Sequence, residues 1–322
     1  VPVSRRPEGP LRVLRILIRL LPIRPRIWIS LVSILVVLVV LYGLIAFLIA
    51  RGVTSADRDA QEDHPSNYGL VFEDVEFVSR DGEVSLNGWY LPGDASAPHL
   101  IFVHGNGSVR SGDNAVDIAS RLVGRGYNSL LFDLRGRGTS EGDTASGGFF
   151  ERQDVLGAFD YLVAERGASP DRIGLVGFSL GAATSIMSAA LEPGVAAVVA
   201  DSPFADAADM VSEEAARKSP VPRWLVPIFV PTSILIADRI YGIDIGELVP
   251  ERDVAMLDYP ILVIHGEADE RVPIEHGERV ATVGRDGTFL WRVPRVDHVD
   301  AFKTHPEEYT ERVAAYLDAS LR

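Results

Sequence analysis

The 322-residue chain contains no cysteine. Disulfides, thiolate metal sites and a cysteine nucleophile are therefore excluded together. Lysine is almost missing, with Lys218 and Lys303 the two occurrences, so arginine carries the positive charge. No P-loop, no HExxH and no dinucleotide-type GxGxxG after a strand occurs, which removes the common signatures of phosphate-binding, zinc-protease and nucleotide-cofactor chemistry. No cofactor and no metal are expected. The arginines that are present cluster: residues 1–26 hold Arg5, Arg6, Arg12, Arg15, Arg19, Arg24 and Arg26 against Glu8 alone, a local charge of +6, which leaves −20 for the rest of a chain whose formal net charge is −14. An acidic balance of that size repels phosphate backbones and argues against nucleic acid as a partner.

The longest uncharged stretch is IWISLVSILVVLVVLYGLIAFLIA, Ile27 to Ala50. At about 1.5 Å per residue it exceeds the roughly 30 Å hydrocarbon core of a bilayer, and a soluble core helix of this length would carry a polar face. It reads as one transmembrane helix over 27–50. A cleaved signal peptide is the rival, since Thr54-Ser55-Ala56 supplies small residues, but its apolar region runs only about 7 to 15 residues. An uncleaved anchor is expected. Arginines precede the span and Asp57, Asp59, Glu62 and Asp63 follow it, so the positive-inside rule makes 1–26 a basic cytoplasmic segment and places everything after residue 50 outside the cytoplasm. The stretch LRVLRILIRLL at 11–21 suits either an amphipathic helix on anionic lipid or a simple topology signal.

Residues 51–67 are polar and contain Gly, Pro, Asp and Ser, the composition of a linker. From 68 to 322 one domain is expected. Strand-like runs appear at 71–79, 84–91, 99–105, 127–133, 172–179, 195–202, 261–266 and 288–293, and helix-like stretches near 112–125, 149–166, 180–192, 275–283 and 306–320 separate the later ones. Asp81-Gly82 marks a hairpin between the first two. Apolar strands alternating with helices imply a mostly parallel eight-stranded sheet with helices on both faces and an antiparallel pair at its start.

Function in such a sheet gathers where strands end. GFSLG, Gly177 to Gly181, follows the strand-like IGLV and leads into the helix-compatible AATSIMSAAL. That is the context of a serine on a strained strand-to-helix turn, where flanking positions must be small. GTSEG, Gly138 to Gly142, has the same pattern but runs from loop to loop, and reads as a glycine-rich turn. A serine hydroxyl needs a base to take its proton and an acid to orient that base, in the order Ser, then Asp or Glu, then His for this sheet type. His265, His276, His298 and His305 lie downstream. His265 closes a strand and reads as structural, and His276 falls on a helix after Pro273, where exposure is expected. His298, in VPRVDHVD just past the last strand, can swing over the carboxyl edge of the sheet; His305 is second choice. For the acid, EADERVP offers Glu267, Asp269 and Glu270.

HGNG, FDLRGRGTSEG, GFSLG, HGEADERVP and the DH of VDHVD, in this order and spacing, resemble the α/β-hydrolases over roughly residues 70–320. The HGN form is similar to membrane-anchored, serine-aminopeptidase-like and esterase-type members, and the HGGG run of many lipases is missing. The resemblance implies Ser179 as nucleophile, Asp269 as acid, with Glu267 behind it, and His298 as base. It makes GTSEG a structural loop after the fourth strand. It also implies an oxyanion hole from the backbone N–H groups of Leu180 and Asn106.

The long insertion at about 203–259 is where this family carries a lid. Within it, PVPRWLVPIFVPTSILIADRIY (220–241) is apolar, but Pro222, Pro227 and Pro231 interrupt it and Arg223, Asp238 and Arg239 charge it, which argues against a second span. A lid over an apolar acyl pocket, lined by Trp224 and Phe229, fits better, although a helix packed on the core explains the same residues. The expected function is hydrolysis of a carboxylic ester, thioester or amide of small-molecule, lipid-like character through an acyl-enzyme. A catalytically silent, membrane-tethered binding module and an acyltransferase using the same residues are the alternatives.

Overall fold

The structure, a computed structural model, describes residues 25–56, 58–61 and 63–321. The basic stretch 11–21 lies outside the described residues. Helix α1 (Pro25–Thr54) is 30 residues long, about 45 Å from end to end. Residues 26–41 are all exposed, although nearly all of them are apolar. An exposed apolar helix of this length has the form of a membrane span or of a signal sequence.

Past Thr54 the polar segment is docked rather than loose. Ser55 bridges Thr144, Ala56 N–H donates to Asp143 O at 3.2 Å, Arg58 donates to the carbonyls of Ser140 at 2.7 Å and Gly142 at 2.8 Å, and Gln61 Nε2 donates to the Asp133 carboxylate. This corrects the tether reading. A polar sequence keeps a segment soluble, but it does not keep it free where a folded loop presents acceptors to it.

The sheet consists of β1 (Glu73–Val78), β2 (Ser85–Leu91), β3 (His99–Val103), β4 (Asn128–Phe132), β5 (Ile173–Phe178), β6 (Val195–Asp201), β7 (Leu262–Gly266) and β8 (Phe289–Val293). Their spatial order is β1-β2-β4-β3-β5-β6-β7-β8. β2 pairs antiparallel with β1 and β4, and all other pairings are parallel. The β1–β2 turn carries Gly82 at φ 76, as the Asp-Gly pair predicts. Helices α2 (Ala115–Val123), α3 (Glu151–Arg166), α4 (Leu180–Leu191), α5 (Ala207–Lys218), α6 (Val226–Tyr241), α7 (Pro250–Val254), α8 (Ile274–Val283), α9 (Ala301–Thr304) and α10 (Pro306–Leu321) complete the element order.

Strand alternation sorts the core into two layers. Ile101, Leu130, Leu175 and Val263 face α3, α4 and α8 through Val155, Ile186 and Val280. Leu100, Phe102, Val176 and Leu262 face α2, α9 and α10 through Ile118, Phe302 and Leu317. With helices on both faces, the inner strands are continuous apolar runs. This is the α/β-hydrolase fold. The strand order reverses at β3, which has β4 on one side and β5 on the other, and a crevice opens beyond the carboxyl ends at such a point.

Between β6 and β7 the chain inserts α5, α6 and α7. α6 runs through the proline-rich stretch without breaking. Pro227 sits in its first turn and Pro231 inside it; the first costs no intrahelical bond, and the second forfeits the one to the Pro227 carbonyl.

Candidate active site

β5 delivers Ser179 directly to the first residue of α4. The turn is so tight that Ser179 adopts φ 53, ψ −115, a region that a non-glycine residue enters only when its surroundings enforce it. The flanking glycines make the turn possible. A Cβ on Gly177 would lie 2.4 Å from the Gly181 carbonyl oxygen, and one on Gly181 only 2.0 Å from that of Val103. Ser179 N–H is bound to Asp201 O at 2.8 Å, so its neighbour strand holds the strained residue in place.

β7 and β8 supply the other two groups. Gly266 ends β7 where any Cβ would lie 2.2 Å from Val296 O, and this closeness joins the two loops: Ala268 N–H donates to Val296 O at 2.9 Å and Glu267 N–H to Val293 O at 2.9 Å. Asp269 and His298 are thereby brought face to face. His298 Nδ1 donates to Asp269 Oδ2 at 2.7 Å, and His298 Nε2 accepts from Ser179 Oγ at 2.8 Å. Val299 follows at φ 56, an outlier for a β-branched residue, tied by its N–H to Ser202 Oγ at 3.3 Å.

The Asp269 carboxylate is built to stay charged. Burial opposes its ionisation, but hydrogen bonds from His265 and His298 and from the Val272 N–H outweigh burial and hold the carboxyl well below the usual range. Oδ1 accepts from the N–H groups of Arg271 at 2.9 Å and Val272 at 2.8 Å. Glu267, by contrast, is exposed and paired with Arg292 at 3.1 Å. His305 is exposed and bonded to Thr304 Oγ1.

Asn106 and Leu180, predicted as oxyanion donors, line one cavity together with Ser179 and His298. Leu180 is the first residue of α4, where no intrahelical acceptor exists for its N–H. The loop bearing Asn106 is held at several points. His104 Nδ1 donates to Gly105 O at 2.9 Å and its Nε2 accepts from Leu134 N–H at 3.0 Å; burial pushes this imidazole below its ordinary value, so it stays neutral and keeps both bonds. Gly105 N–H donates to Asp113 Oδ2 at 2.8 Å, and Asn106 is bound by Arg137 through Oδ1 and by Arg271 through its carbonyl.

His265 Nε2 donates to Val272 O at 2.8 Å and lies 3.4 Å from Asp269 Oδ2; a structural histidine was expected there, and it holds up the acid loop. His276 is buried and accepts the Ala205 N–H through Nδ1 at 3.2 Å. This corrects the exposure expected from its place on a helix, because that face of α8 turns toward the sheet. The contributions of His104, Asp113 and Arg271 went unread; each acts across loops, and the pattern in HGNG was the one local hint.

The profile of the X-Pro dipeptidyl-peptidase (S15) family matches residues 53–226, more than half of the chain. The chain belongs to that family. Asp269 and His298 of this S15-family hydrolase lie beyond the matched residues. An uncharacterized protein of Mycobacterium tuberculosis is 32% identical over 229 residues, covering 70% of this chain and 72% of that one. The uncharacterized protein YfhR of Escherichia coli is 27% identical over 255 residues, covering 77% and 81%. An esterase of Pyrococcus furiosus is similar in structure, with a TM-score of 0.65 and 26% identity over 83% of this chain and 98% of that one. The protein is accordingly an α/β-hydrolase enzyme of esterase or peptidase type.

The cavity of this S15-family hydrolase measures about 750 Å³, within the range of ordinary small-molecule sites. Leu180, Phe204, Val272 and Leu248 give it an apolar floor, and α5 and α6 cover it. The two aromatic residues expected in its lining are elsewhere. Trp224 is 77% exposed, and Phe229 stacks on Tyr42 of α1 with ring centroids 5.1 Å apart. α6 turns Phe229 toward α1, so this ring joins the helix pair instead of meeting the substrate.

Proposed function

We propose that this protein hydrolyses a carboxylic ester, with thioesters and amides as chemically related substrates, through an acyl-enzyme on Ser179. The observation that carries the reading is the continuous chain from Ser179 Oγ to His298 Nε2 at 2.8 Å and from His298 Nδ1 to Asp269 Oδ2 at 2.7 Å. His298 Nε2 takes the hydroxyl proton as Ser179 Oγ attacks the carbonyl carbon. The oxyanion is met by the N–H groups of Leu180 and Asn106, donors worth about 10²- to 10³-fold each in such sites. The proton on His298 passes to the leaving group as its bond to carbon breaks. Water then gives a proton to His298 and attacks the acyl-serine; the carboxylic acid leaves and Ser179 regains its proton. Asp269 keeps one tautomer of His298 and balances its charge.

Peptidase activity is the second reading, favoured by the family match and by Glu213, Glu214 and Glu270 at the cavity. Esterase activity is preferred because Glu213 is paired with Arg223 and Glu214 with Arg217, which leaves an apolar floor to select the acyl group. The N-terminal helix is proposed as an uncleaved anchor with its basic end in the cytoplasm and the hydrolase outside it. A fluorophosphonate probe should label the wild type and not Ser179→Ala. Absence of labelling in folded protein would overturn the enzyme reading in favour of a binding module, and cleavage of aminoacyl amides with failure on esters would move the assignment to a peptidase.

A further inference from the structure

One wall of the cavity comes from the apolar helix. Ile49, Ala50, Val53 and Thr54, in the last turns of α1, line the same volume as Ser179 and His298. The two helices that meet there are bonded between Tyr42 and Ala46 of α1 and Ile228, Thr232 and Ser233 of α6. Tyr42 Oη donates to Ile228 O at 3.0 Å and lies 2.8 Å from Thr232 Oγ1, and Ser233 Oγ donates to Ala46 O at 3.0 Å. Ile49 is buried with Ala215 of α5 and Val226 of α6.

The depth of this contact follows from lengths. Residues 26–41 of α1 are exposed; these sixteen residues measure about 24 Å, short of the roughly 30 Å hydrocarbon core. The remaining ~6 Å falls to the turn that starts at Tyr42, where α6 is already packed. α6 has 16 residues, too few to span, and is bent by 97° from the segment Ile245–Val254. It therefore rides at the membrane surface. Its outward side chains fit a lipid–water boundary: Ile228, Leu235 and Ile240 are exposed together with the charged Asp238 and Arg239 near the end of the helix. Before them comes the exposed Trp224, a residue type enriched at membrane interfaces.

We infer that the site draws its substrate from the bilayer: an amphiphile whose acyl chain lies between α1, α5 and α6 while its carbonyl reaches Ser179 Oγ. α1 is then both anchor and part of the acyl-binding wall, and the outer face of α6 is covered by lipid. This inference rests on the serine-hydrolase reading above.

The test uses the full chain in phosphatidylcholine vesicles and a long-chain alkyl fluorophosphonate with a diazirine at the chain end. Ser179 Oγ displaces fluoride and forms a P–O bond. Irradiation then expels dinitrogen, and the carbene inserts into whatever lies beside the chain end. Crosslinked peptides from residues 45–54 or 226–241 are expected. Crosslinks confined to the floor around Phe204 and Val272 would overturn the inference while leaving the hydrolase reading intact, whereas failure to modify Ser179 in folded protein would sink both. In parallel, Val53→Trp should lower the ratio of palmitoyl to acetyl p-nitrophenyl ester turnover at least tenfold, and an unchanged ratio would count against the α1 wall.

Discussion

Ser179 and Ser140 occupy the centre of the same five-residue pattern, and the glycines around them serve different ends. In GTSEG the glycines provide unusual backbone angles, with Gly138 at φ 43 and Gly142 at φ 92. In GFSLG neither glycine has a positive φ; the serine itself does, at φ 53, and the glycines are there because a Cβ would collide with backbone. Ser140 is wholly buried, donates to Asp133 O at 2.6 Å and accepts the Asn87 N–H at 2.9 Å. Ser179 faces the cavity with a base at 2.8 Å. Strain placed on the serine makes a nucleophile, and strain placed on its neighbours makes a turn.

The largest effect expected from breaking this comparison is on turnover. Ser179→Ala should lower kcat for an activated ester by about 10⁴- to 10⁶-fold, while Ser140→Ala should stay within tenfold and instead lose about 1–3 kcal/mol of stability, because Asn87 N–H is left without its acceptor. Urea melts alongside the kinetics separate the two. Equal losses of activity in both variants, with both folded, would erase the distinction.

Next comes the acid that serves Ser179. Asp269→Asn should cost about 10⁴-fold in kcat by favouring the wrong imidazole tautomer, whereas Glu267→Gln should leave kcat within about twofold. The opposite ranking would transfer the acid role to Glu267.

The glycines sharpen the comparison in stability. Gly181→Ala places its Cβ 2.0 Å from Val103 O and should cost more than about 3 kcal/mol. Gly142→Ala meets no atom closer than 3.3 Å and should cost only the strain of its backbone angle, about 1–3 kcal/mol. Denaturant midpoints for the two variants decide it.

The smallest effect concerns pH. The Asp269 carboxyl is held below its unfolded value, so the stability that it contributes is fully present above about pH 4 and is lost as pH falls below that. The difference in thermal midpoint between wild type and Asp269→Asn should therefore shrink on acidification below about pH 4. A difference that grows there would contradict the assigned hydrogen bonds.

Much of the fold was legible because its signals are local. The eight strands and the helices after them follow from apolar runs punctuated by turns, and the hairpin at Asp81-Gly82 from a dipeptide. The elbow was legible for a related reason: its signature, a serine between small residues with a strand before it and a helix after it, lies within a short stretch, although the Val103 carbonyl that Gly181 must clear comes from another strand. Phe229 was misplaced because an apolar helix has more than one apolar face, and its composition does not say which neighbour each face meets; Trp224 lies before the helix and is exposed. His276 was misread likewise.

The sequence by itself determined the layout of an apolar helix before an α/β-hydrolase domain, and which serine sits on a strand-to-helix turn, since apolar runs and small flanking residues are local signals. Only the tertiary structure decided which groups surround that serine. His298 lies 119 residues from Ser179, and their meeting depends on the closeness of the β7 and β8 loops at Gly266. The α1 wall depends on how α6 packs against Tyr42. Such partners are chosen by the fit of surfaces far apart in the chain, which no local pattern encodes.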